Sequence, residues 1–197
     1  MTLIEVTHMR HAEATHNVAA RIEGVHAYYD PMHADASLTA TGLEQAAQAH
    51  LNPADYDAIY CSPLRRCYQT LLAAMPGVRE AKHVCLDDRL MEPQGSAICN
   101  KRNEMVMAPA GWNRDCISPI NPWFLADEGA TIPSPAFEKR VAEFYSWLRG
   151  NHKAGDRVLI VSHHDWIHTW FQVHQGSGVS LHNAEVISTA IKVTYAA

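Results

Sequence analysis

Arg157-Val158-Leu159-Ile160-Val161-Ser162-His163-His164-Asp165 decides the fold. Val158 to Val161 are apolar at every position, so both faces of this strand need cover, as in a central strand of a parallel sheet. The run stops at Ser162. A helical pattern then spans about Asp165 to His174 and ends at Gly176, a residue suited to a left-handed C-terminal cap. A buried strand feeding a helix is half of a βαβ unit, and the other halves lie on both sides of it in sequence. Upstream, Ser134-Pro135 opens a long helix with an apolar face of Phe137, Val141, Phe144, Tyr145 and Leu148. Downstream, Glu185 to Tyr195 alternates and is β-branched, as a final strand should be. Residues 3–8, 57–61 and 83–86 read as further strands, and Thr39 opens a helix to about Leu51. Ser62-Pro63 reads as the cap and first residue of a helix that stops near Pro76-Gly77. This alternation predicts an α/β protein, a three-layer α/β/α sandwich on a mostly parallel central sheet.

Composition fits that class. The chain has 197 residues, 47% hydrophobic and 19% charged, which suits one domain with a sizeable core. A net charge of -5 argues against non-specific nucleic-acid binding. The five cysteines, at 61, 67, 85, 99 and 116, are odd in number and lack CxxC spacing. They are expected as free thiols in a reducing cytosol, not as disulfides or a zinc knuckle. No apolar run reaches membrane-spanning length, and the N-terminus lacks the pattern of a signal peptide, so a cytoplasmic location is expected.

Ligands of such sheets sit at the carboxyl ends of the strands, and chemically suggestive residues follow four of them. Arg10-His11 follows the first strand; an arginine can clamp two phosphate oxygens, and a neutral imidazole can attack phosphorus. Ser62-Pro63-Leu64-Arg65-Arg66 follows the second, where a helix N-terminus suits an anion. Leu90-Met91-Glu92 follows the third; a carboxyl there can act as a general acid if burial or a nearby anion keeps it protonated. His163 follows the apolar strand, which fixes its backbone so that the ring can be aimed, as a cation or as a hydrogen-bonding group. Taken singly, each has a bland reading as a surface, loop or capping residue.

In this order the segments resemble the histidine phosphatase superfamily, the phosphoglycerate-mutase-like fold. Asn17 falls six residues after His11, as the family's phosphate-touching asparagine does, and Leu38-Thr39-Ala40-Thr41-Gly42-Leu43-Glu44-Gln45-Ala46 is similar to a family segment. Glu128 with Phe137, Arg140 and Val141 resembles the stretch before the second histidine. His16-Asn17-Val18-Ala19, Cys99-Asn100-Lys101-Arg102 and Asn183-Ala184-Glu185 are similar to the plant and fungal phosphoglycerate-mutase-like proteins. The resemblance implies a metal-independent phosphomonoester hydrolase without cofactor, acting on a small phosphorylated metabolite. It implies His11 as nucleophile, Arg10, Arg66 and His163 around the phosphoryl oxygens, Asn17 as a further donor and Glu92 as proton donor.

The departures from the pattern are informative. Ala12 stands where glycine is usual, Ala14 where a hydroxyl is common, and His164 where glycine usually follows the second histidine. His164 is therefore a candidate substrate contact. Pro93-Gln94-Gly95-Ser96-Ala97 does not match the stretch that follows the acid in mutases, and the chain is shorter than a mutase, which favours hydrolysis over phosphoryl transfer. Residues 93–133 carry five prolines, two tryptophans and little periodicity, which suggests a substrate cap; Lys101 and Arg102 could meet a second anionic group there. Three rivals stand beside this reading: a mutase-type phosphotransferase, a non-catalytic module that binds phosphorylated ligands, and a metal-dependent phosphohydrolase. The last takes its motive from His164 and His168, one helical turn apart.

Overall fold

The computed structural model describes residues 3–81, 84–93, 97–101 and 134–193. Its centre is a five-stranded sheet in the order β3-β2-β4-β1-β5. The strands are β1 (Leu3–Arg10), β2 (Ala58–Cys61), β3 (Val84–Leu86), β4 (Arg157–Ser162) and β5 (Val186–Lys192). The first four in spatial order are mutually parallel, and β5 closes the β1 edge antiparallel. The expected α/β architecture with a mostly parallel sheet is the one found.

The alternation within β4 builds both cores. Val158 and Ile160 face one side, with Phe137, Val141, Phe144 and Leu148 from α4 (Pro135–Asn151) and Trp166 and Trp170 from α5 (His164–Gln175). Leu159 and Val161 face the other, against Cys67, Leu71 and Ala74 of α3 (Arg65–Ala74) and Ala46 of α2 (Ala40–Ala47). Burying apolar side chains on both faces, at about 25 cal/mol per Å², is what makes β4 the middle of the sandwich. Ser134 caps α4 by accepting the Phe137 N–H, Pro135 fills its first turn, and Gly176 ends α5 at φ 79°. These three boundaries follow the sequence signals.

Two boundaries do not. The helix expected at Ser62-Pro63 begins at Arg65, because its free N–H groups are met from elsewhere: Asp35 Oδ1 accepts the Arg65 N–H at 2.7 Å, while Ser62 is drawn to His163. A helix also runs over Thr15–Glu23, designated α1, where no helix was expected. Its cap position is Ala14, which has no side-chain acceptor, and Asn17 Oδ1 instead accepts the Ala14 N–H at 3.0 Å.

Register sets the strand ends level. Arg10 lies opposite Ser162, Cys61 opposite Val161 and Leu86. The residues just beyond these positions therefore open at one end of the sheet. Among the described residues no helix is long and apolar enough to cross a membrane.

Candidate active site

His11 leaves β1 with its backbone held at both ends. Its N–H donates to Ser162 O (2.9 Å), and its carbonyl accepts from the Ala184 N–H (3.3 Å) and from Asn183 Nδ2 (3.0 Å). Ala184 makes that contact at φ 62°, a conformation that costs a non-glycine residue about 1 kcal/mol. The next residue is fixed too, as the Ala12 N–H donates to Thr70 Oγ1 at 2.9 Å. The imidazole Nδ1 lies 2.8 Å from Ala12 O. A carbonyl can only accept, so Nδ1 carries the proton and Nε2 keeps its lone pair. Burial, and then the nearby Arg66, His16 and Arg10, hold the ring's pKa well below the usual histidine range. His11 is thus a neutral imidazole with one free lone pair, the form required of a nucleophile.

Arg66 and His163 lock each other. The Arg66 side chain is 1% exposed; its Nε donates to His163 Nδ1 (3.2 Å), Nη1 to Cys99 O (2.9 Å) and Nη2 to Asn100 Oδ1 (2.9 Å). Because His163 Nδ1 accepts, its Nε2 carries the proton and donates to Ser62 Oγ at 2.8 Å. Asn100 in turn donates to Pro93 O at 2.7 Å. Burial and Arg66 push the His163 pKa well down, so the cationic option for this ring is corrected: it is neutral. Its centroid lies 5.2 Å from that of His11, nearly edge-on. It is fully buried beside His11, with both nitrogens already engaged by protein groups.

Glu92 sits at the start of α5. Its Oε1 and Oε2 each accept a backbone N–H, from Asp165 and Trp166, both at 3.3 Å. Withdrawal from water, then the charge of Asp165, raise its pKa to about 8, against the opposing pull of Arg66 and Arg10. It is therefore mostly protonated at neutral pH. The loop leading to it is clamped three times. Arg140 Nη1 donates to Arg89 O and Met91 O (each 2.7 Å), Trp166 Nε1 donates to Arg89 O (2.8 Å), and Ser162 Oγ donates to Leu90 O (2.8 Å).

Arg10, His11, Asn17, Arg66, Glu92 and His164 line one cavity of about 240 Å³, with His16, Tyr28, Tyr29, Asn100 and Asp165. Arg10 anchors through Nη1 on Leu181 O at 2.6 Å, while its buried Nε has no partner. His163 is the expected site residue that stands behind this wall. Lys101 is exposed and does not line the cavity, and Arg102 lies outside the described residues, as does most of the expected cap. Its first residues, Ala97, Cys99 and Asn100, do reach the cavity. His164 and His168 stand with centroids 6.2 Å apart, and His168 Nδ1 is taken by Val179 O (3.0 Å). Among the described residues no group of three His, Cys, Asp or Glu side chains is gathered to hold a metal ion.

Sequence reasoning gave no role to His16, Tyr28, Asn100 or Asp165. Asp165 had a readable signal, an acidic residue in the first turn of a helix that also receives the proton-donor candidate, and His16 and Asn100 lay within two of the quoted family-like segments; Tyr28 had none.

The sequence matches the histidine phosphatase superfamily (branch 1) over residues 6–191. No curated protein matches it. Among solved structures it is similar to phosphoserine phosphatase from Entamoeba histolytica in complex with 3-phosphoglyceric acid (21% identity, 94% of this chain and 89% of that one, TM-score 0.57). It is also similar to Bacillus stearothermophilus YhfR (20% identity, 94% and 90%, TM-score 0.60). A candidate alpha-ribazole-5'-P phosphatase from Escherichia coli aligns over 96% of this chain and 91% of its own (21% identity, TM-score 0.63). At such identities the likeness is one of fold.

Proposed function

The chain belongs to the histidine phosphatase superfamily, and from that premise we propose that it is a metal-independent phosphomonoester hydrolase working through a phosphohistidine on a small phosphorylated metabolite. One observation carries the reading. A neutral imidazole with its lone pair on Nε2 and a protonated carboxyl line the same cavity, with two guanidinium groups beside them. The imidazole is a nucleophile and the carboxyl is an acid, and neither is useful without the other.

In the first step His11 Nε2 attacks phosphorus in line. The P–O bond to the leaving alcohol breaks as Glu92 gives up its proton to that oxygen, leaving a free alcohol and phosphohistidine. Arg10 and Arg66 carry the charge of the non-bridging oxygens, which is most of what phosphoryl transfer asks of a protein. In the second step the Glu92 carboxylate takes a proton from water, the water oxygen bonds to phosphorus, and the P–N bond returns its electrons to Nε2. Orthophosphate leaves with His11 and Glu92 restored. His163 keeps Arg66 oriented, and Asn17 lines the wall. The phosphoserine phosphatase and alpha-ribazole phosphatase likenesses fit a hydrolase of small phosphate esters.

The test is rapid quenching of the purified protein with a labelled phosphate ester, with and without chelator. The expected result is acid-labile, base-stable label on the wild type, none on His11→Ala, and no effect of chelator. Label on His11→Ala, or turnover abolished by chelator, refutes the reading.

A further inference from the structure

His16 is the buried titratable group that this mechanism leaves unused. It is 5% exposed, lies in the second position of α1 and lines the same cavity as His11. Its protonation pattern is fixed by a short chain of bonds. The Ala14 N–H must donate, so the Asn17 atom 3.0 Å from it is Oδ1. The Asn17 amide nitrogen then faces His16 Nε2 at 3.2 Å. An amide NH₂ only donates, so Nε2 of His16 holds the lone pair and Nδ1 carries the proton. That Nδ1–H is buried and has no partner.

Buried donors are nearly always satisfied, and an unmet one calls for an explanation. The explanation lies across the cavity. The His16 and His11 ring centroids are 5.8 Å apart, and Arg10, whose buried Nε is a second donor without a partner, lines the same cavity. Two orphan donors around one neutral nucleophile describe a place for an anion's oxygens. Ala14 offers no hydroxyl at the head of α1, so the donor comes from two residues further along. Burial, Arg66, His33 and Arg10 lower the pKa of His16 to about 2, so it supplies a hydrogen bond at every working pH without taking up a proton.

We propose that His16 is a phosphoryl-binding residue of this site, its Nδ1–H donating to a non-bridging oxygen of the group held over His11. This rests on the phosphatase reading for its reaction, but its binding arm can be tested apart from turnover. His16 makes no bond to the leaving group and stays neutral throughout. Its contribution grows as negative charge gathers on the oxygens, so it belongs with Arg10 and Arg66 in stabilising the transition state.

Histidine-labelled wild-type protein is titrated with orthophosphate and followed by nitrogen NMR. The expected result is a downfield shift of the His16 Nδ1–H signal, tracking the binding curve. A signal that stays put while phosphate saturates the protein overturns the proposal. In parallel, His16→Phe keeps the ring's bulk without the donor, and His16→Asn restores an amide N–H near the Nδ1 position. Phenylalanine should weaken orthovanadate inhibition about tenfold to a hundredfold and lower kcat more than it raises KM, with asparagine recovering part of both. Wild-type vanadate affinity in a folded His16→Phe protein overturns it. If His16→Phe does not fold, the wild-type titration alone decides. A His16 shift on phosphate without phosphohistidine at His11 supports this proposal and refutes the phosphatase reading; phosphohistidine with an unmoved His16 does the reverse.

Discussion

Raising the pH from 7 to 9 should slow this protein on alkyl phosphates by about tenfold. Glu92 has its pKa raised to about 8, first by burial and then by the charge of Asp165. The acid works only while protonated, so its contribution is intact below that value and is lost as pH rises through it. With a pKa near 8, about nine-tenths of Glu92 is protonated at pH 7 and about one-tenth at pH 9. A phosphate monoester, with a second pKa of about 6, is already about nine-tenths dianion at pH 7, so the substrate adds little slope in this window. The assay is kcat/KM against pH for two esters, one with an alkyl and one with a nitrophenyl leaving group. The nitrophenolate departs without a proton, so its profile should stay nearly flat above pH 8 while the alkyl profile falls. Asp165→Asn removes the second cause of the raised pKa and should move the alkyl limb to lower pH. Glu92→Gln should depress the alkyl ester far more than the nitrophenyl ester. An alkyl profile flat from pH 7 to 9, or one identical in Asp165→Asn, would refute the assignment of Glu92 as the acid.

Other outcomes follow from the packing. His8 is fully buried between Trp166, Trp170 and Phe171 with neither ring nitrogen partnered, and its pKa falls from 6.5 to about 3. Only the unfolded chain takes up that proton between these values, so stability is complete above pH 6.5 and declines below it, by about 2 kcal/mol at pH 5 from this group. Urea unfolding at pH 7 and pH 5 should show that difference shrink in His8→Leu; an equal decline in both proteins would assign it elsewhere. A Cβ on Gly42 would run into Glu13 O, two residues beyond His11, so Gly42→Ala should lose about 1–3 kcal/mol in thermal unfolding along with activity. Unchanged melting would mean the two backbones part easily. Arg140→Ala frees the carbonyls of Arg89 and Met91 and should lower kcat on alkyl esters with little change in KM. A change confined to KM would show that the clamp does not serve Glu92.

Much of this was open to reading in the residues. Val158 to Val161 announced a doubly covered strand because nothing polar interrupts them, and Ser134-Pro135 announced a helix because its cap lies next to it in sequence. The failures share a cause: the decisive partner is distant. Arg65 begins α3 because Asp35, thirty residues earlier, accepts its N–H. Ser62 shares its hydroxyl between the Leu64 N–H and His163, a hundred residues away, and caps no N–H of α3 itself. α1 has no cap of the usual kind, so Ala14 hid it. Arg10, His11, Arg66 and Glu92 reach one cavity because they follow level strand ends, which alternation and motif order foretell. That His163 would stand behind the wall, neutral and engaged at both nitrogens, depends on Arg66 folding back onto it, and no local pattern records that.

Ser62, His163, Arg66, Asn100 and the carbonyl of Pro93 form an unbroken relay of donors and acceptors. Each link dictates the tautomer or orientation of the next, so the relay admits a single arrangement and spans the loops after β2, β3 and β4. Arg66 and His163 are thus set before any ligand is met: their tautomer and orientation are paid for by folding, through bonds that Ser62, Asn100 and the Pro93 carbonyl already make.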